Sequence, residues 1–126
     1  MDERALVRGI GWASLAMGLT ILAPARAARL FGLGARPALM RAIGARDLVI
    51  GLGLLRRGDS APWLRLQALA DATDAALVGA GLLTSTFARG RAALWLIAAL
   101  VSAWCSLSLA RRMDGRAGAA PRAGRG

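Results

Sequence analysis

Residues 63–83 read WLRLQALADATDAALVGAGLL, a run long enough to cross a lipid bilayer as a helix. Its charged residues are Arg65, Asp71 and Asp74, and the rest is mostly Ala, Leu, Gly and Val. A spanning strand would need only about 9–11 residues and would alternate polar with apolar positions. The run shows no such alternation, so it predicts a spanning helix, which satisfies its own backbone hydrogen bonds.

Three further segments are comparably apolar. They cover about residues 6–23, 39–55 and 92–110. The four prolines fall outside all four segments, as helix breakers should; they are Pro24, Pro37, Pro62 and Pro121. We therefore predict an all-α, four-helix transmembrane bundle with antiparallel up-down order over residues 1–110. A basic, flexible tail of residues 111–126, rich in Gly, Ala, Pro and Arg, is predicted to be disordered.

The first segment has a second interpretation, as a cleaved signal peptide. Ala25-Arg26-Ala27 fits the small-x-small cleavage pattern after an apolar stretch. Against this, Asp2 and Glu3 lie in the region that is normally positive, and Pro24 separates the stretch from the cleavage motif. Both interpretations stay open, with the uncleaved span preferred.

The composition narrows the function classes. The chain of 126 residues is 56% hydrophobic with a formal net charge of +10, and all 17 basic residues are arginine. These arginines are spread over every connection and the tail, which favours lipid headgroups over nucleic acid as their partner. Ten lie on the side of the two termini and six on the other, which predicts cytoplasmic termini. Arginine without lysine, with abundant Ala and Gly, is typical of a GC-rich bacterial genome, so we expect the bacterial inner membrane.

Several chemistries are excluded within this chain. It has no histidine, so Ser-His-Asp catalysis, His-based zinc sites and haem ligation by histidine cannot occur. The single cysteine, Cys105, allows no intrachain disulfide. We predict no cofactor, no metal site and no catalytic residue.

Four ionisable residues are predicted near mid-bilayer depth. They are Arg46, Asp47, Asp71 and Asp74. Counted from the turn that joins the second and third segments, the aspartates lie roughly 12–17 Å into a core about 30 Å thick. Charged side chains are costly there, so they mark a candidate site.

We expect Arg46 to bridge to Asp71 or Asp74, which share a helix face because they are three residues apart. Asp47 is then expected to face another helix, near Ser14 or Ser102. Further hydrogen bonds are expected from Gln67 and Thr73. Ser102 and Ser106 share a face of the fourth segment, and we expect them to bond to their own helix backbone rather than to act in catalysis.

One arginine against three aspartates leaves two negative charges if all ionise, to be balanced by protons, a cation or a ligand. The cluster therefore either fixes the helices in register or lines a small binding pocket.

Three motifs resemble those of small four-span bacterial membrane proteins of unknown function. They read Gly11-Trp12-Ala13-Ser14, Gly44-Ala45-Arg46-Asp47, and Arg65 leading to Asp71 and Asp74. The resemblance covers about residues 6–110 and implies the four-span fold and the polar cluster, but no reaction.

Three functions follow, in order of preference. The first is a non-enzymatic membrane bundle that binds a small ligand, associates with a membrane protein partner or forms a homo-oligomer. The second is a proton- or cation-coupled transporter, and the third is a subunit of a membrane enzyme acting on a lipid or quinone.

Overall fold

The structure is a computed structural model that describes residues 2–23, 37–56, 58–83 and 89–119. These residues form four α-helices: α1 spans Glu3–Leu22, α2 Pro37–Leu55, α3 Ala61–Leu83 and α4 Arg89–Ala119. The all-α prediction is confirmed, and the first three helices begin and end within a few residues of the predicted segments. The proposed cleavage motif and residues 120–126 lie outside the described residues.

The fourth helix is longer than the sequence indicated. It continues from residue 110 to Ala119, so the prediction of a disordered tail is wrong for residues 111–119. Contacts with the other helices hold this extension. Met113 packs against the buried core, and Arg116 forms an ion pair with Glu3 at the start of α1. Asp114 pairs in the same way with Arg65 near the start of α3.

Two helix starts are capped by aspartate. Asp2 Oδ1 accepts a hydrogen bond from the backbone N–H of Arg4 at 3.0 Å, and Asp59 Oδ1 accepts one from Ala61 at 3.0 Å. Pro37 and Pro62 lie inside the first turns of α2 and α3, not outside the helices as predicted. The first turn tolerates proline because its backbone nitrogens have no partner within the helix.

The helices pack most closely in two pairs, α1 with α2 and α3 with α4, while α2 and α3 touch more sparsely. Glycines bring the backbones of the first pair together. A Cβ built on Gly18 would lie 2.7 Å from the carbonyl oxygen of Gly44, and one on Gly51 would lie 2.9 Å from that of Gly11. Real Cβ atoms do not approach so closely, so glycine is required at this helix contact.

Two buried apolar clusters lie at different levels of the molecule. The larger one includes Val7, Leu54, Leu64 and Leu109, close to the helix ends that carry the Glu3–Arg116 ion pair. The smaller one is built on Ile21 and Met40, with Met17, Ile43 and Trp95 packed against it. The predicted polar residues lie between these two clusters along the helices.

The outward faces of the helices are also apolar. Leu69, Leu94 and Trp104 are 65%, 69% and 70% exposed, respectively. By length and composition, α1, α3 and residues 92–116 of α4 are each able to cross a membrane. The described helix α2 does not meet the same criteria; its 19 residues include Arg41, Arg46 and Asp47.

Candidate functional site

Arg46 joins α2 to α3 through a two-point contact with Asp74. Its Nη1 donates to Asp74 Oδ1 at 3.0 Å, and its Nη2 donates to Asp74 Oδ2 at 2.7 Å. Parallel bonds of this kind fix the relative orientation of guanidinium and carboxylate. Of the two partners predicted for Arg46, the structure selects Asp74.

Asp47 is paired with its own neighbour in sequence. Arg46 donates to Asp47 Oδ1 from Nε at 3.0 Å and from Nη2 at 2.8 Å. Among the described residues, no hydrogen bond joins Asp47 to Ser14 or Ser102, the residues it was predicted to face, but all three line the cavity described below. The two residues leave the helix about 100° apart, but the long arginine side chain bends back far enough to cover that angle.

Asp71 is held by neutral donors from two helices. Gln67 Nε2 donates to its Oδ1 at 2.9 Å, and Ser102 Oγ donates to its Oδ2 at 2.6 Å. Ser102 therefore bonds across to α3, and the prediction of a bond to its own helix backbone is wrong.

Ser14 extends this arrangement to α1. Its Oγ lies 2.8 Å from Gln67 Oε1 and 3.0 Å from the carbonyl oxygen of Ile10. The amide of Gln67 thus accepts from Ser14 and donates to Asp71. We call these four residues, Ser14, Gln67, Asp71 and Ser102, the hydrogen-bonded row; it links α1, α3 and α4.

Thr73 lies outside the site. Its side chain is exposed and its Oγ1 donates to the carbonyl oxygen of Leu69 at 2.8 Å. The prediction that Thr73 joins the cluster is wrong. Each residue turns an α-helix by about 100°, so Thr73, two residues after Asp71, points to nearly the opposite side of α3.

A cavity of about 350 Å³ lies between the four helices, beside these side chains. Its lining includes every member of the hydrogen-bonded row together with Asp47 and Asp74. The remaining lining is apolar and includes Met17, Ile43 and Leu77. The cavity therefore has a polar region within a mostly apolar wall.

The polar and apolar parts of the wall are separated along the helix axes. On every helix, one polar lining residue lies seven residues from an apolar one, which is about 10 Å at 1.5 Å per residue. The four pairs are Ser14 and Ile21, Asp47 and Met40, Asp71 and Val78, and Ser102 and Trp95. The apolar members all lie on the side away from the Glu3–Arg116 ion pair, so the cavity has one polar level and one apolar level.

The polar level holds three carboxyl groups and one guanidinium group. Within the described residues, Arg46 is the basic side chain in contact with this group, and it is committed to Asp47 and Asp74. Asp71 lines the cavity without a salt-bridge partner among the described residues. The carboxyl group of Asp71 is suited to bind a hydrogen-bond donor or a positive charge rather than to act as a nucleophile.

Comparisons of the chain with protein-family models, with curated proteins and with solved structures found no match. The class of protein is therefore defined by the fold and the cavity alone: an all-α chain with membrane-length apolar helices around a central space that is polar at one level.

Sequence reasoning identified the charged members of this site but missed the apolar part of the wall. Met40, Val78 and Trp95 gave no signal of their own within apolar segments. A spacing of seven residues returns to nearly the same face of a helix, but it points equally to these residues and to the opposite set, which lies in the larger apolar cluster and not in the cavity. The opposite set is Val7, Leu54, Leu64 and Leu109.

Proposed function

We propose that this chain is an integral membrane protein whose central cavity binds a small, largely apolar molecule without catalysing a reaction. The observation that carries the proposal is the cavity of about 350 Å³, which has contributions from all four helices. Ligand sites are typically concave and mostly apolar, with few polar groups that fix orientation, and this cavity has that character.

Insertion in a membrane is supported by the outward apolar faces and by the length of α1, α3 and α4. For α2, two of its three charges are matched internally, since Arg46 pairs with Asp47. The third, Arg41, is exposed in the second turn, from which a long side chain reaches the membrane surface. We therefore propose that α2 is the fourth span.

Up-down order with antiparallel neighbours belongs to the same proposal. The pairing of Gly11 with Gly51 and of Gly18 with Gly44 supports it for α1 and α2, because the residue numbers run in opposite directions. The arginine count of ten against six supports cytoplasmic termini in a bacterial inner membrane. Kinship with the small four-span bacterial proteins that share the motif at residues 44–47 is proposed on the motif alone.

The cavity can be tested by filling it. We expect tritiated 1-adamantanol, a compact apolar alcohol, to bind saturably to the full chain in lipid nanodiscs above the background of empty nanodiscs. Ala99→Phe places a ring into the cavity wall and should abolish this binding. Ala93→Phe on an exposed face of the same helix is the matched control and should retain it. If both variants bind like the parent chain, or the parent chain shows no saturable binding, the proposed function is wrong.

Proton- or cation-coupled transport is the second candidate. The observation that favours it is the hydrogen-bonded row, which connects three helices through exchangeable protons. Proton or cation flux into liposomes that contain the full chain, lost in Asp71→Asn, would favour transport over simple binding.

A further inference from the structure

We propose that the ligand of the cavity is an amphiphilic organic cation, with its positively charged head against Asp71 and its apolar body along the apolar level. The inference rests on the proposed function and names the class of molecule that the cavity takes.

The first argument is the distribution of charge. Both oxygens of Asp74 are engaged by Arg46, and Asp47 Oδ1 accepts two further bonds from the same guanidinium. These bonds use the Nε, Nη1 and Nη2 atoms of Arg46. Asp71 lies beside this group and receives neutral donors only, so a positive charge in the cavity would find its counter-ion there.

The second argument is the direction of the hydrogen bonds. Gln67 and Ser102 each donate one proton to a different oxygen of Asp71. A carboxylate oxygen can accept more than one bond, so each oxygen keeps acceptor capacity beside the cavity. Because Ser14 fixes the Gln67 amide from the other side, these donors hold the carboxylate in place for an incoming donor.

The third argument is the apolar level. Val78 and Trp95 line the cavity two helical turns from Asp71 and Ser102, and Ile21 and Met40 do so from the other pair of helices. The distance of about 10 Å between the levels leaves room for a hydrocarbon body on one side of a charged head. An aromatic wall such as Trp95 also suits organic cations, whose charge is spread over apolar groups.

A metal ion fits the same charges less well. Among the described residues, no group of three acidic or cysteine side chains is arranged to hold one. Since the cavity wall is mostly apolar, the cation it favours is one that carries hydrocarbon with it.

The test compares two probes with the same apolar body and different heads. Protonated 1-aminoadamantane and 1-adamantanol share one cage, so their affinity ratio isolates the charge of the head. Binding of both is measured on the full chain in nanodiscs of neutral lipid, with empty nanodiscs as background. We expect the amine to bind about tenfold more tightly than the alcohol, as a charge-assisted bond replaces a neutral one.

Two variants assign the preference to a residue. Asp71→Asn should bring the affinity ratio of amine to alcohol close to one. Asp114→Asn makes the same chemical change at an exposed ion pair outside the cavity and should keep the preference of the parent chain.

The outcomes separate this inference from the proposed function. Equal affinities of the parent chain for the two probes, or a preference that survives Asp71→Asn, would overturn the organic-cation inference and leave the cavity as a binding site. Saturable binding of neither probe would overturn both. The comparison in the parent chain decides the question even if Asp71→Asn fails to accumulate in folded form.

Discussion

Ser102 and Ser106 lie one turn apart on α4, and their hydroxyl groups have opposite surroundings. Ser102 donates to Asp71 at 2.6 Å. Ser106 is fully buried, and its Oγ has no hydrogen-bond partner among the described residues. A buried hydroxyl without a partner costs free energy, whereas one that satisfies a carboxylate stabilises the fold. The same substitution at the two positions should therefore have opposite effects.

We expect Ser106→Ala to raise the free energy of unfolding by about 1 kcal/mol, because it removes an unpaired polar atom. Ser102→Ala should lower it by about 1–3 kcal/mol, because it takes a donor from Asp71. Thermal unfolding of the full chain in detergent measures both, and each variant serves as the control for the other. Equal shifts in the same direction would contradict the assignment of partners.

Arg46 has two carboxylate partners, so its removal should cost more than the removal of either partner. We expect Arg46→Gln to destabilise the fold by about 2 kcal/mol more than Asp74→Asn. This difference is smaller than for a fully buried ion pair, because the arginine side chain is 29% exposed. Arg46→Gln leaves Asp47 and Asp74 both unpaired, whereas Asp74→Asn leaves the Arg46–Asp47 pair intact. The yield of folded protein and its unfolding temperature measure the difference. A larger loss for Asp74→Asn would show that the bridge between helices outweighs the balance of charge.

At the scale of helices, the contact between α1 and α2 depends on backbone approach and not on large side chains. Gly18 and Gly44 face each other at one crossing point, and Gly11 and Gly51 face each other at a second point seven residues away on each helix. Gly9, on the same helix as Gly11, has open space around it. Position on the helix therefore decides which glycines can be replaced.

Gly18→Ala should destabilise the chain by about 1–3 kcal/mol, because the new methyl group would meet the carbonyl oxygen of Gly44 and push the helices apart. Gly9→Ala should stabilise it by about 0.5–1 kcal/mol, because alanine favours the helix and meets no neighbour. Unfolding temperatures in detergent compare the two variants. Tolerance of alanine at both positions would refute the close contact.

The helices could be predicted because long apolar runs, proline positions and the length needed to cross a bilayer all indicate the same segments. That Arg46 and Asp74 lie at one level of the molecule followed from the rise per residue, and their ion pair confirms it. The choice of Asp74 over Asp71 by Arg46 could not be predicted, since the two aspartates share a face. A small pocket was one of the two alternatives predicted for the cluster, but its volume and its apolar wall could not be predicted, because they depend on distances between helices that glycine contacts set. The continuation of α4 depends on ion pairs between residues that are far apart in sequence, such as Glu3 and Arg116.

At the scale of the whole molecule, polarity is arranged in levels. Ion pairs lie at the end with Glu3 and Arg116, and a buried apolar cluster around Leu64 follows. Next comes the polar level around Asp71, and then the apolar level around Ile21 and Met40. The outer surface around these levels is apolar. In a bilayer this order would place the polar level near the centre, between the four helices.

The most direct test is to measure how deep the polar level lies in the bilayer. A label at Thr73 reports this depth without disturbing the site. The Thr73 side chain is exposed and lies between Asp71 and Asp74 in sequence. A nitroxide label attached to Thr73→Cys in a Cys105→Ser background, in liposomes, reports collisions with molecular oxygen and with a water-soluble nickel chelate. We expect oxygen collisions to dominate, as they do deep in hydrocarbon; dominance of the nickel chelate would place this level in water and contradict the account.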